Sequence, residues 1–331
     1  MNRVTAIITS FMTVMLLLLS ASGCLTSHDE SDASSSPATT TAIPTTSGKN
    51  VPAAPFTLAY SSKDTLNPFT AKTSANLQLC SLLYEGLFRL DGTLTPKPAL
   101  AASVDDSVPA SLTAVLRGGA RFSDGSAVTP DDVTESFRLA KKSSGFKVLL
   151  SNVKSAKSKD GKVVFELDSP DPNAAACLTF PVIKSGTDSA PVGSGRYVYK
   201  AGASPVLNAN SRNAAKAGIK TIRLLDITHG EAMLYALESG SISYYYTDLS
   251  GGNIPRTSNA SIRVPLNSVV FIGVNSRRTA LSKKEARQAI SSAVDRTEIS
   301  ASAFAGRARP AVSPFNPSWS SAVELKGFEK R

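Results

Sequence analysis

Between Phe56 and Val294, runs of strand-forming residues alternate with helix starts, and this mixture narrows the fold more than any other feature of the chain. The β-formers gather at Phe56–Tyr60, Gly195–Tyr199, Lys220–Leu225, Ile242–Tyr246 and Ser268–Asn275. Thr129 stands before Pro130, Asp131 and Asp132. That order supplies a hydroxyl cap, a first-turn proline and two carboxylates to a helix N-terminus, and Val133 and Phe137 follow four apart. Thr228 with Glu231 and Ser282 with Glu285 repeat the capping spacing. The second pair opens an apolar face of Ala286, Ile290, Ala293 and Val294, with Arg287 and Arg296 outside it. Leu77, Cys80, Leu83, Tyr84 and Leu87 form another helical stripe. Asp91-Gly92, Asp124-Gly125 and Asp160-Gly161 are hairpin signals because both positions tolerate positive φ, and Val163, Phe165 and Leu167 alternate after the last. There is no internal repeat, and the expected class is α/β or α+β.

The 331 residues leave room for about two domains. A 42% hydrophobic, 19% charged composition excludes a collagen-like, coiled-coil or fully disordered chain, and three Cys exclude a disulfide-dense scaffold. The net charge of +10 raises the question of a polyanionic partner. The densest cluster, the lysines from Lys141 to Lys162, lacks the interleaved aromatics and Arg forks that read bases, so nucleic acid is not an expected partner. The cluster reads instead as a solvated basic face or as attraction to an anionic membrane surface.

At the N-terminus Arg3, an apolar run from about Ile7 to Leu19 and the small residues Ser20 to Gly23 form a secretory signal, too short for a comfortable span. Cys24 follows directly, an arrangement that resembles the bacterial lipoprotein lipobox, with Ala21 where Leu is commonest. The resemblance implies cleavage after Gly23 and a diacylglycerol thioether on Cys24. At about 0.8 kcal/mol per buried CH₂, two or three acyl chains hold a protein stably on a bilayer. From Leu25 to Asn50 about half the residues are Ser or Thr, with almost no large apolar side chains, and the stretch is expected to be a disordered tether.

In order along the chain come Thr65-Leu66-Asn67-Pro68, Leu82-Leu83-Tyr84-Glu85-Gly86-Leu87, the run Pro96 to Ala101, Leu116-Arg117, and Phe122 to Val133, which reads F-S-D-G-S-A-V-T-P-D-D-V. Gly193 to Tyr197 (G-S-G-R-Y), Ala236 to Ile242, Asn275, Arg287 to Ile290 (R-Q-A-I) and Ala293 to Arg296 (A-V-D-R) follow. Together they resemble the extracellular solute-binding protein family 5, the peptide and nickel receptors of ABC importers. Most of these motifs are structural: Asp124-Gly125 turns the chain, Thr129 starts a helix, and Arg287 and Asp295 hold the scaffold.

The resemblance implies a two-lobed, type II periplasmic-binding-protein-like fold of α/β class that closes on a ligand about a hinge. It divides the chain into a signal peptide (1–23), a lipidated tether (24–52), a first lobe (53–264) with a subdomain inserted at about 82–181, and the start of a second lobe (265–331). The segment Val269 to Asn275 would be a strand crossing into that second lobe. Family members are considerably longer, so the second lobe is expected to be incomplete, whether the sequence is a fragment or a reduced form, with an open strand edge and weak or absent ligand binding. The implied function is a lipid-anchored, extracytoplasmic receptor, not an enzyme, that delivers peptides or a related small solute to an ABC permease without a cofactor. A non-transporting interaction or signalling lipoprotein, or a non-functional fragment of such a receptor, is the alternative.

Candidate ligand-binding residues are Asn67 and Phe69 on the early loop Asp64 to Phe69, Tyr244, Tyr245, Tyr246 and Asp248 after the Ile242 segment, Asn275 at the crossover, and Trp319, the single Trp. Aromatics can cover apolar parts of a ligand and Asp248 can pair with a cation. The competing reading puts the tyrosines alternately in core and surface and packs Trp319 in the second lobe. Ser243 stands where the family usually has Asp after G-x-I. Ser151 to Lys154 matches S-x-x-K, but Lys184-Ser185-Gly186 follows too soon to carry a penicillin-recognising fold. His229 lies inside a capping-box spacing and reads as a helix-terminus residue, not a catalytic base. No C-x-x-C or H-E-x-x-H occurs, so zinc has no motif. Cys80 and Cys177 are open to either a disulfide or, for Cys80, burial as a small hydrophobe.

Overall fold

The computed structural model of the chain describes residues 55–251, 257–264, 266 and 268–311. Strand β1 (Thr57–Tyr60) runs parallel to β10 (Thr221–Asp226), which pairs antiparallel with β9 (Val206–Ala209), itself antiparallel to β8 (Tyr197–Lys200), in the order β1-β10-β9-β8. Alternation drives this sheet: Ile222 and Leu224 of β10 are buried while Thr221, Arg223 and Leu225 are exposed. Helix α1 (Ser74–Leu83) packs on β1 and β8 through Leu79, Cys80 and Leu83. Its predicted stripe needs correction. Leu77 is 46% exposed, Leu79 takes its place, and the helix ends at Leu83, so Tyr84 is buried from extended backbone and Leu87 from the bend before Phe88.

A second sheet orders β4 (Ala101–Asp105), β5 (Ser111–Leu116), β7 (Lys162–Leu167) and β6 (Val153–Lys159) as β4-β5-β7-β6, all antiparallel. Beside it lie the ribbon β2 (Phe88–Leu90) with β3 (Pro96–Pro98) and the short helix α3 (Ala174–Cys177). Helix α2 (Pro130–Lys142) packs on β6 and β7. Its start is the capping box that the sequence predicts: Thr129 Oγ1 accepts from Asp132 N, and Asp132 Oδ2 accepts from Thr129 N at 2.8 Å. Phe137 meets Phe165 of β7 edge-on at 5.9 Å and Phe180 at 6.0 Å, inside one core that also takes in Val133, Val163 and Leu167.

The three Asp-Gly pairs do different things. Asp160 (φ 49°) and Gly161 (φ 73°) form the two-residue turn between paired Lys159 and Lys162. Asp91 instead closes a longer loop, its carboxylate accepting from Thr93 and Thr95, and Asp124-Gly125 makes a local turn inside an Arg121–Ala127 bridge. The G-S-G motif has a steric reason. Gly195 N donates to Leu83 O at 2.9 Å, and a Cβ on Gly195 would come within 2.4 Å of Leu82 O.

Helices α4 (Gly230–Glu238), α5 (Thr279–Ser282), α6 (Lys284–Ala293) and α7 (Arg296–Phe304) follow. Two predicted caps fail here. His229, not Thr228, precedes α4, Lys283 precedes α6, and neither side chain caps, while the Ser282 hydroxyl turns back to Thr279 O at 2.8 Å. Asp295 caps α7, accepting from Thr297 N and Glu298 N. Arg287 and Arg296, expected outside, are half-buried and donate to the carbonyls of Leu281, Ser282 and Ser291. Neither Ile242–Tyr246 nor Ser268–Asn275 forms a strand. Ile242 is buried, but beyond it only Ser243 bonds to β1, donating to Thr57 O at 2.8 Å and accepting from Thr57 N on its hydroxyl at 2.9 Å. Val270, Phe271 and Ile272 are exposed, and among the described residues no strand offers Val269 to Asn275 a ladder, without which extended backbone is not a strand. Cys80 and Cys177 are both free thiols. Burial pushes Cys80 up to about 12, and its Sγ lies 3.4 Å from Leu66 O.

Candidate functional site

Where the parallel strands β1 and β10 end, a groove of about 260 Å³ opens, lined by Tyr60, Ser62, Asp64, Leu66 and Tyr199. Carboxyl ends of parallel strands are where open α/β sheets bind ligands, because the loops diverge there and leave a crevice. Tyr60 is the last residue of β1 and Asp226, its register partner, the last of β10. Ser62 ties these ends together: its N–H donates to Asp226 Oδ1 at 2.9 Å and its hydroxyl donates to Oδ2. Those two bonds hold the Asp226 carboxyl below the usual range. Partial burial, with Asp226 and Tyr199 nearby, raises the Tyr60 phenol, which stays a donor at neutral pH.

Asp64 knots the loop that forms the groove's far wall. Its Oδ2 accepts from Thr73 N (2.7 Å), Thr73 Oγ1 (2.7 Å) and Lys72 N (3.0 Å), and its Oδ1 from Thr65 N (2.9 Å). Desolvation alone would raise this carboxyl, but the donated hydrogen bonds outweigh it and hold the group at about 2. Buried Asn76 anchors the same loop, accepting from Ser61 N at 2.8 Å and donating to Ser61 O and Thr65 O. The groove therefore presents two phenols, the Ser62 hydroxyl and the ionised Asp64 carboxylate on a fixed loop, with the Asp226 carboxylate tied to Ser62 at the end of β10. These groups can hydrogen-bond to a small molecule and cover part of its apolar surface.

The predicted residues scatter about this groove. Asn67 frames the loop: its Oδ1 accepts from Phe69 N, its backbone N–H donates to Thr65 Oγ1, and its Nδ2 donates to Asp188 O at 2.8 Å. Phe69 is buried and packs edge-on against Phe146 at 6.3 Å, so its ring belongs to the core. Tyr244, Tyr245, Tyr246, Asp248 and Asn275 do not line the groove. Tyr246 is raised by burial and by nearby Asp248 and Tyr244, Asp248 accepts from Ser250 N, and exposed Asn275 accepts from Arg277 N. Cys24 and Trp319 lie outside the described residues. Sequence reasoning missed Tyr60, Ser62, Tyr199 and Asp226, although Tyr60 ends a recognised β-run. The signal that finds it is the end of a parallel strand, which needs the pairing of β1 with β10.

The model of the bacterial extracellular solute-binding proteins, family 5 (middle), matches residues 95–330. The oligopeptide-binding protein AppA of Bacillus subtilis (strain 168) is 26% identical over 301 residues, covering 80% of this chain and 54% of its own length. Among solved structures, the unliganded open form of the periplasmic murein tripeptide binding protein MppA matches with a TM-score of 0.62 at 20% identity, over 84% of this chain and 63% of that one. A nickel ABC transporter structure from Bacillus halodurans matches equally well, with a TM-score of 0.62 at 20% identity over 80% and 58%. These structures share the mixed α/β architecture of periplasmic binding proteins, and the chain spans a little over half the length of AppA and of the nickel transporter protein.

Proposed function

The chain belongs to the bacterial extracellular solute-binding proteins of family 5, and from that premise we propose that it captures a peptide or a related small solute outside the cytoplasm and passes it to an ABC permease. The groove at the carboxyl ends of β1 and β10 carries the reading, because it opens where this fold class receives ligands and its loop is held before any ligand arrives. AppA, named for oligopeptide binding, favours a peptide; the nickel-transporter structure keeps a metal chelate in the test. Tyr60 and Tyr199 would flank the solute on the first lobe (53–264, with its inserted subdomain at about 82–181), and Asn67 would set the loop. Tyr244 to Asp248, Asn275 and Trp319 would serve the opposing wall, with the second lobe beginning near residue 265. A lipid on Cys24 and the tether to residue 52 would keep the body at the membrane.

Thermal-shift titration of the protein with short peptides, nickel chelates and sugars tests this. Millimolar peptide should raise the melting temperature, and Tyr60→Ala with Tyr199→Ala should remove the rise. No shift with any class would overturn the receptor reading. Incorporation of labelled palmitate, lost in Cys24→Ser, tests the anchor separately.

A further inference from the structure

The loop from α2 to β6 combines features that the solute groove does not use. Between residues 134 and 162 eight Lys and Arg stand against two acidic residues, a net +6 of the chain's +10. Some of these cations are committed within the protein. Arg138 pairs with Glu135, and Lys141 donates to Leu150 O (3.2 Å) and Val153 O (2.7 Å) beneath the loop. Lys142, Lys147 and Lys154 are exposed and stand in no ion pair among the described residues; Lys142 and Lys154 act on Glu135 and Glu166 only at a distance. Between them the loop lifts two apolar side chains into solvent, Val148 at 75% exposure and Leu149 at 40%.

This exposure is imposed by the loop's own framework. Ser143 O accepts from Lys147 N at 3.1 Å, Phe146 O accepts from Leu150 N at 2.9 Å, Leu150 is fully buried, and Phe146 packs on Phe69. Anchored on both sides, the tip cannot fold its valine and leucine inward. Beside it, a groove of about 500 Å³ runs between α2 and β6, with Lys142, Lys154 and Ser155 in its lining.

We propose that this face docks on the anionic bilayer to which the chain's N-terminal segment would tether it: Lys142, Lys147 and Lys154 meet lipid phosphates while Val148 and Leu149 enter the headgroup region. Charge complementarity supplies the attraction, and the apolar pair selects the partner. A soluble polyanion or an acidic protein patch would be served by the lysines alone, whereas a bilayer interface rewards an apolar tip ringed by cations. The inference goes beyond solute capture and stands or falls separately from it.

The test is co-sedimentation of the full chain carrying Cys24→Ser, so that no acyl chain contributes, with phosphatidylglycerol and phosphatidylcholine vesicles. The triple variant Lys142→Gln, Lys147→Gln, Lys154→Gln should bind phosphatidylglycerol at least tenfold more weakly than its parent, since each lysine near such a surface is worth about fivefold. Parent and variant should be alike on phosphatidylcholine, and 0.5 M salt should remove the difference. Val148→Ser with Leu149→Ser should also weaken binding, by a few-fold. Equal binding of parent and triple variant overturns the proposal. So does loss in the lysine variant with none in the Val148/Leu149 variant, which would reassign the face to a soluble polyanion or an acidic protein. Peptide thermal shifts on the same variants should be unchanged, which separates a failure here from a failure of the receptor reading.

Discussion

The segment from Thr57 to Ile242 and the segment from Thr257 to Phe304 differ most in what their apolar faces touch. In the first, α2 presents Val133, Phe137 and Ala140 to two strands and all three vanish from solvent. In the second, α6 has just as clear an apolar side, yet Ile290 is half-covered, Ala293 exposed, and Ser300 of α7 is the one buried residue among those described. The second region is held locally instead, by Arg287 and Arg296 on backbone carbonyls and by the Asp295 cap. Periodicity thus proposes a buried face, but another element has to arrive before burial contributes stability.

Paired substitutions test that contrast. Phe165→Ala, at a fully buried ring touching Phe137, should cost about 3–5 kcal/mol in urea unfolding, and Phe271→Ala, at a 78% exposed ring, less than about 0.5 kcal/mol. Comparable losses would mean that the second region packs as tightly as the first. Gly195→Ala should cost about 1–3 kcal/mol or more, because its methyl would press on the Leu82 and Leu83 backbone, and Gly273→Ala, whose methyl would meet nothing nearer than the Phe271 ring at 3.9 Å, close to nothing. Chemical denaturation of the two variants side by side reads the difference.

Asp64→Asn should lower stability at pH 7 by about 1 kcal/mol, allowing for the carboxylate's contact with water. The folded carboxyl lies at about 2, below its ordinary 3.8, so its contribution is whole above about pH 4 and fades as pH falls towards 2. Parent and variant should converge in melts near pH 2; a constant gap would mean that the hydrogen-bond geometry, and not the charge, matters. Smallest is the cap comparison. Thr129→Ala should cost about 1 kcal/mol and Ser282→Ala a few tenths at most, since only the first hydroxyl accepts from a helix N–H. Equal effects in calorimetry would show that the Ser282 hydroxyl caps α6 in solution.

What could be read in advance was local. The Asp160-Gly161 turn, the Thr129 box and the alternation of Val163, Phe165 and Leu167 each depend on residues a few positions apart, and each formed as written. The failures needed a distant partner. The β-run Ser268–Asn275 had the composition of a strand but no ladder among the described residues, and Thr228 and Ser282 had cap spacing one residue out of step with the helices that formed. The site was legible in the same proportion. The loop from Asp64 to Phe69 was found and its Asp64 and Leu66 line the groove, but the two members singled out serve otherwise, Asn67 as frame and Phe69 as core, while Tyr60, Ser62 and Tyr199 complete the lining.

By itself the sequence determined the mixed class, the family and the chemistry of its turns and caps, because these depend on side chains meeting their own neighbouring backbone. Only the tertiary structure decided which strand ends lie together, which aromatics remain at a surface, and that Val148 and Leu149 stand exposed among lysines. Those outcomes follow from pairings such as β1 with β10, more than 160 residues apart, and no local pattern encodes such a distance.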